Sequence, residues 1–315
     1  ISLFSSKIGY YEKFFFYMSK SSFSCYNDLY NMKFFLHGGF LMNIRLIAFD
    51  LDGTLLNSRK VISPHTRSVL ERAAAKGAIL VPATGRLQNN VPEEVLSLPS
   101  VRYVIAINGA AVYDLDEKKF LYRAELGKEE SLQFFRHTEK LPAIYGWYQN
   151  GQGWMPRTCY ERIADYSYAP WLEENMKKVY LPIDSCEETL MEQEGGPQKL
   201  QLYFRDLEAR KAALDEILQL YPQYAVSSSL ENNIEINAPR ATKGEALAFL
   251  ASHLGLKTEE TLAFGDGTND ISMIRQAGIG VAMGNAAPEM LAAADRVTAS
   301  NDEDGLARVL EELGF

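Results

Sequence analysis

The chain has 315 residues, 47% hydrophobic and 23% charged, enough for one large α/β domain or for a core with a smaller insert. A formal net charge of −9 argues against a nucleic-acid partner, which usually demands a basic face. Cys25, Cys159 and Cys186 are few, odd in number and widely spaced, so a disulfide framework is not expected and a reducing cytoplasm is.

Residues 1–41 are set apart by aromatic density, as in Phe14-Phe15-Phe16-Tyr17. Glu12, Lys13, Lys20, Asp28 and Lys33 interrupt every apolar stretch there, so neither a secretory signal nor a membrane span fits. Met42 directly precedes the first predicted strand, and residues 1–41 are expected to be an atypical extension outside the fold. A membrane-surface anchor is the competing reading.

From residue 44 onward strand-like and helix-like segments alternate. Ile44–Phe49 is expected as a buried strand, Pro64–Lys76 as a helix, Ala78–Ala83 as a strand, Leu87–Leu96 as a helix and Tyr103–Ile107 as a strand. Beyond residue 236 the alternation resumes: helix Thr242–Leu254, strand Thr261–Phe264, helix Ile271–Ala277, strand Gly280–Met283 and helix Asp304–Leu313. Such alternation predicts an α/β fold with a doubly wound parallel sheet. The core is expected over residues 42–121 and 237–315. Residues 122–236 read as an inserted α+β domain, with strands at Ala143–Tyr148, Leu200–Phe204, Tyr224–Ser228 and Asn233–Ile236 and helices near Ser131–Lys140 and Asp206–Leu220.

Four polar clusters each follow a predicted core strand: Asp50-Leu51-Asp52, Thr84-Gly85-Arg86, Asn108-Gly109-Ala110 and Gly265-Asp266-Gly267-Thr268-Asn269-Asp270. Parallel strands end on one edge, so the clusters are expected to converge on one cleft. Asp50 and Asp266, with a nearby carbonyl, make a hard oxygen site suited to Mg2+. Thr84 and glycine-rich turns offer a hydroxyl and backbone N–H groups to an anion. Lys243 falls in the first turn of a helix capped by Thr242 and Glu245, where a cation opposes the dipole and needs another reason to be there. A phosphoryl group supplies one. Asp50 is then the candidate nucleophile, forming an aspartyl-phosphate, and Asp52 the acid that protonates the leaving oxygen and later the base that activates water.

The segments Asp50–Leu56, Thr84–Arg86, Asn108–Ala110, Thr242–Gly244, Gly265–Met273 and Ala282–Ala286 together resemble the ordered motifs of the haloacid dehalogenase superfamily of phosphatases, in its Cof-type branch with a type IIB cap. The resemblance runs from about Met42 to the C-terminus. It implies a Mg2+-dependent hydrolase of small phosphorylated metabolites, such as sugar phosphates, pyridoxal phosphate or flavin mononucleotide, whose inserted cap sets specificity. It further implies Asp50 as nucleophile, Asp52 as acid/base and metal contact through its carbonyl, and Thr84 and Lys243 as phosphate stabilisers. Asp266 becomes a metal ligand and Asp270 a support for the metal and Lys243. Leu51, Gly85, Arg86, Asn108 and Asn269 become substrate or phosphate contacts. The N-terminal extension is the departure from the pattern.

Plainer readings compete. Thr84 and Asp270 could cap helices, Asn108 could shape a turn, and Lys243 could be solvated. Arg86 either grips a second anionic group or neutralises the cleft. Tyr145, Trp147, Tyr148 and Trp154 fit core packing better than substrate stacking, and His37, His65, His137 and His253 fall in no motif. Two other functions share these residues: a phosphotransferase or mutase passing the phosphoryl group to a second hydroxyl, and a regulatory module that binds a phosphometabolite without turnover.

Overall fold

The computed structural model describes residues 43–315, so the expectations for residues 1–41, including Cys25 and His37, lie outside it. Its strands are β1 (Leu46–Phe49), β2 (Ile79–Pro82), β3 (Tyr103–Ala106), β4 (Ala111–Asp114), β5 (Lys119–Arg123), β6 (Ala143–Gln149), β7 (Gln152–Pro156), β8 (Tyr180–Ile183), β9 (Lys199–Phe204), β10 (Ala225–Ser227), β11 (Asn233–Asn237), β12 (Thr261–Gly265), β13 (Ile279–Ala282) and β14 (Arg296–Val297).

β1 reads as an unbroken apolar run because both of its faces are buried. Its side chains alternate across the sheet. Leu46 and Ala48 pack with Val81 and Ala263 against Leu247 and Leu250 of the Lys243–His253 helix and Met273 of the Ile271–Gln276 helix. Ile47 and Phe49 pack with Leu80 and Phe264 against Val69 and Leu70 of the Pro64–Ala75 helix and Leu306 and Leu310 of the Gly305–Glu312 helix. Helices therefore cover both faces of a parallel five-stranded sheet, ordered β14-β13-β12-β1-β2. This is the doubly wound α/β architecture that the alternation predicts. The helix boundaries have local causes: the Ser63 hydroxyl accepts from Thr66 N at 3.0 Å ahead of Pro64, and the Thr242 hydroxyl accepts from Glu245 N at 3.2 Å.

Two expectations for the core need correction. The helix expected over Leu87–Leu96 is a 3-10 turn at Gln88–Asn90 and a separate short helix at Glu93–Leu96, with extended Val91 and Pro92 between them. Proline restricts its predecessor to extended backbone, which breaks the helical run. β3, expected as another core strand, lies parallel beside β2, with isolated bridges at their ends, Leu80–Val101 and Ala83–Ile105, but its ladder is in an antiparallel three-stranded sheet, β3-β4-β5.

The remaining sheet is six-stranded, ordered β10-β11-β9-β6-β7-β8, and its β6, β9, β10 and β11 match the predicted strands closely. Leu200, Leu202, Phe204, Ile234 and Ile236 alternate with Lys199, Gln201, Tyr203, Asn233 and Glu235, and every one of them is buried. One face of this sheet is thus apolar and the other polar, yet both are covered. Tyr145, Trp147 and Tyr148 are buried on β6, in keeping with the core-packing reading. Trp147 and Tyr145 stack on Phe135.

Candidate active site

The parallel strands β1, β2 and β12 end on one edge; Asp50 and Asp266 follow β1 and β12 directly, and Thr84 follows β2 by one residue. Asp50 N donates to Phe264 O at 3.1 Å, so the first residue after β1 is still held by β12. Gly53, at φ +89, turns the chain immediately afterward, and a Cβ there would run into the Asp266 carboxylate. The turn thus brings the carboxylates after β1 and β12 together only because residue 53 is glycine.

Lys243 joins the cluster. Its Nζ donates to Asp50 Oδ1 at 2.6 Å and to Asp270 Oδ1 at 2.5 Å, and its side chain is 0% exposed. These two carboxylates are what offset a cation placed at a helix N-terminus. Asp270 does not cap the following helix with its side chain, as one reading had it. Its Oδ2 instead accepts from the backbone N–H groups of Asp266 and Gly267, at 3.1 and 2.9 Å, which shapes the turn carrying Asp266. Thr54 Oγ1 donates to Asp266 Oδ1 at 2.8 Å.

Asp50, Asp266 and Asp270 each place a carboxylate oxygen within 4.8 Å of the others. Burial, only partly countered by Lys243, pushes the Asp50 carboxyl from 3.8 up to about 7. Burial likewise pushes Asp266 up to about 6. Three hard oxygen donors, two of which resist ionising, fit a divalent cation, whose charge removes that resistance. A carboxyl with a higher pKa folded than unfolded binds its proton more tightly in the fold. The stability it lends at acid pH is therefore lost as pH rises through about 6 to 7. Without a divalent cation, the melting temperature is expected to fall between about pH 5 and about pH 8, and Mg2+ is expected to raise it more at the higher pH. A Mg2+-induced shift in Tm that is the same at both pH values would count against this cluster as the metal site.

The Asp52 carboxylate is bonded to two cations instead of to Lys243. Its Oδ2 accepts from Arg86 Nε and an Arg86 terminal nitrogen at 3.2 and 2.7 Å, and its Oδ1 from Lys60 Nζ at 2.8 Å. Burial works to raise its carboxyl, but Arg86 and Lys60 outweigh it and hold the group below the ordinary carboxylate range. Arg86 is thus engaged with Asp52, the neutralising one of its two readings. Leu51 is buried in the turn, its carbonyl accepting from Thr54 N and Leu56 N at 3.4 and 2.9 Å.

Thr84 is buried, and its Oγ1 accepts from Arg86 N at 3.2 Å while its carbonyl accepts from Asn108 N at 3.0 Å. The turns after β2 and β3 are therefore laced together. Asn108 sits at φ 58, and its Oδ1 lies so close to Gly85 that a Cβ there would stand 2.8 Å away. Asn269 Nδ2 donates to the same oxygen at 3.4 Å. The residues singled out in the four polar clusters, with Lys243, thus line one edge of the sheet.

Sequence reasoning missed Lys60, Lys199 and Glu235. Lys60 sits in a turn built by Asn57, whose side-chain oxygen accepts from Arg59 N and Val61 N. Lys199 Nζ donates to Gly85 O at 3.0 Å, and Glu235 Oε2 accepts from Asn108 Nδ2 at 2.8 Å. Both contacts come from the six-stranded sheet. A polar residue in a strand pattern reads as a solvated face, so no sequence signal marked these two.

A family model described as haloacid dehalogenase-like hydrolase matches residues 47–310. The 5-amino-6-(5-phospho-D-ribitylamino)uracil phosphatase YcsE of Bacillus subtilis is 31% identical over 273 residues, covering 85% of this chain and 95% of that protein. A haloacid dehalogenase-like hydrolase from Bacteroides thetaiotaomicron superposes with a TM-score of 0.71 at 28% identity, covering 86% of this chain and 99% of that one. The subclass IIB sugar phosphatase BT4131 superposes with a TM-score of 0.70 at 26% identity, covering 86% of this chain and 99% of that one.

Proposed function

The chain belongs to the haloacid dehalogenase-like hydrolases, as a phosphatase of the Cof type, and on that premise we propose that it is a Mg2+-dependent phosphomonoesterase of small phosphorylated metabolites acting through an aspartyl-phosphate on Asp50. The observation that carries this reading is the buried Lys243 ammonium shared between Asp50 and Asp270, with Asp266 beside them. Burying a cation between two carboxylates is often no more stable than apolar packing of the same volume, so a role in the chemistry accounts for it better than stability does.

Lys243 holds Asp50 Oδ1 and leaves Oδ2 as the attacking atom. Oδ2 bonds to phosphorus, the bond from phosphorus to the leaving oxygen breaks, and Asp52 gives that oxygen a proton. Water then attacks the acyl phosphate, Asp52 takes its proton, and the Asp50 carboxylate is regenerated as phosphate departs. Thr84 Oγ1, the backbone N–H groups of Leu51 and Gly85, the Asn269 amide and Lys243 hold the phosphoryl oxygens, where charge builds in the transition state. Asp50, Asp266 and the Asp52 carbonyl, with Asp270 in support, would hold Mg2+, which would supply charge neutralisation there. Arg86 and Asn108 flank the leaving group.

We assign residues 122–236 to a cap, joined to the core near β5 and β11, whose polar sheet face closes the cleft and selects the substrate. The named relatives act on a phosphoribityl-amino-uracil and on sugar phosphates, which supports sugar phosphates or phosphorylated cofactors as the substrate class. No helix among the described residues is long and apolar enough to cross a membrane, and the free Cys159 and Cys186 suit a reducing cytoplasm.

The test is a phosphate-release screen over phosphorylated metabolites, with and without Mg2+, on the full chain. Phosphate release that requires both Mg2+ and one of these substrate classes supports the reading. Transfer to a second substrate without free phosphate would replace it with phosphotransfer.

Asp52 must be protonated to act as an acid, so kcat/KM is expected to fall as pH rises through its pKa. Lys60 and Arg86 lower that pKa. Lys60→Met is therefore expected to move the basic limb of the kcat/KM profile to higher pH. The Lys60 side chain is 64% exposed, so the displacement shrinks as salt is added. A basic limb that stays in place at low ionic strength would remove Asp52 as its source.

A further inference from the structure

We propose that Lys199 and Glu235 are positioning residues, which clamp the turns after β2 and β3 into the shape that grips the substrate. This rests on the reading above in which Gly85 and Asn108 belong to that grip.

The two residues lie on the polar face of the six-stranded sheet. Glu235 pairs with Gln201 across β11 and β9, and Lys199 lies two residues along on the same face. Their side chains are 3% and 2% exposed and form an ion pair at 3.1 Å. Two charges so buried are unfavourable unless every remaining polar atom is bonded. Here they are. Lys199 Nζ lies 5.0 Å from the centre of the Tyr148 ring, and Glu235 Oε1 also accepts from Ser229 Oγ at 2.7 Å and Asn233 Nδ2 at 3.3 Å. Burial would raise Glu235, but Lys199, Ser229 and Asn108 outweigh it and hold the carboxyl below its ordinary range.

An ion pair serving only its own sheet would spend its bonds there. This one sends two elsewhere: Lys199 to the Gly85 carbonyl, between Thr84 and Arg86, and Glu235 to the Asn108 amide. The receiving backbone needs holding. Ile107 and Asn108 are both left-handed, at φ 56 and 58, a conformation unfavourable to a β-branched residue. Glu235 also decides which way the Asn108 amide points. With Nδ2 turned to the carboxylate, Oδ1 faces Gly85 and Asn269 Nδ2. Asn269, which approaches the phosphate in the proposed mechanism, thereby takes its orientation from a residue of the other sheet.

The test uses the full chain, Mg2+, p-nitrophenyl phosphate as substrate and inorganic phosphate as competitive inhibitor. Lys199→Met/Glu235→Leu removes both charges at similar volume, a change that buried pairs often tolerate without loss of stability. Expected are about a hundredfold fall in kcat, as for reacting groups displaced by an ångström or so, and about tenfold weaker inhibition by phosphate, as for one lost hydrogen bond to a charged group. A folded double variant with the parent's kcat and phosphate inhibition overturns the proposal. Should that variant not fold, a cycle of Glu235→Gln and Asn108→Ala decides. Non-additive effects on the phosphate inhibition constant support the clamp and additive effects overturn it. Asp50→Asn separates the two readings: if it still hydrolyses, the site assignment fails, whereas a dead Asp50→Asn beside a fully active double variant refutes only the clamp.

Discussion

Asp50→Asn is expected to take phosphate release to background, a loss on the order of a millionfold in kcat, as when a catalytic nucleophile is removed. Asparagine keeps the shape and an oxygen for Lys243, but an amide cannot form the acyl phosphate. The fold should persist. Burial already disfavours charge at this position, pushing its carboxyl up to about 7. Removing the carboxylate should therefore leave the melting temperature unchanged or raised. The measurement is phosphate release at saturating p-nitrophenyl phosphate beside a thermal melt. Mass analysis of acid-quenched parent protein is expected to show a phosphoryl adduct on the peptide containing Asp50. A variant rate within about tenfold of the parent, far short of that loss, would dismiss Asp50 as nucleophile.

Lys243→Met is expected to damage both stability and activity. Its ammonium is fully buried between Asp50 and Asp270, and removing one side of a buried charge cluster destabilises by about 3–5 kcal/mol. Methionine has nearly the same length, so packing changes little and the loss reports the charge. Asp50 and Asp266, whose carboxyls are already pushed up, can relieve it by taking up protons. Lys243 lowers both groups in the parent, so their pKa values rise further without it, stability should fall as pH increases, and the deficit should be larger at about pH 8 than at about pH 5. Denaturant melts of parent and variant at both pH values check this. A deficit under about 1 kcal/mol at the higher pH is what an exposed pair would give, and would contradict the buried assignment. Activity should fall as well, because Lys243 is proposed to offset charge on the transferring group.

Much of the core and of the candidate site was legible in the sequence. β1, β2, β12 and β13 are short apolar runs that end at polar or glycine-rich turns, and chain order alone implies that parallel strands end on one side. The sequence alone therefore places Asp50, Thr84 and Asp266 on one edge. The Thr242 cap likewise located Lys243 in a first turn. What misled was context. Leu87–Leu96 carries a helical period that Pro92 breaks, and the Tyr103–Ile107 run gives no sign that its partner is the antiparallel β4. β7 and β8 have mixed or interrupted patterns, Gln152-Gly153-Trp154-Met155-Pro156 and Tyr180-Leu181-Pro182-Ile183, and went unseen.

The sequence by itself determined the α/β class, the cluster of acids after β1 and β12, and the need for a partner to a cation at a helix start. All three follow from local periodicity, turn chemistry and the helix dipole, which neighbours in the chain dictate. Only the tertiary structure decided that Asp52 faces Arg86 and Lys60 and that Lys199 and Glu235 reach Gly85 and Asn108. A charged residue in an alternating strand turns to one face or the other by its position alone. Whether that face meets water or another part of the protein depends on how distant segments pack, and strand periodicity carries no record of it.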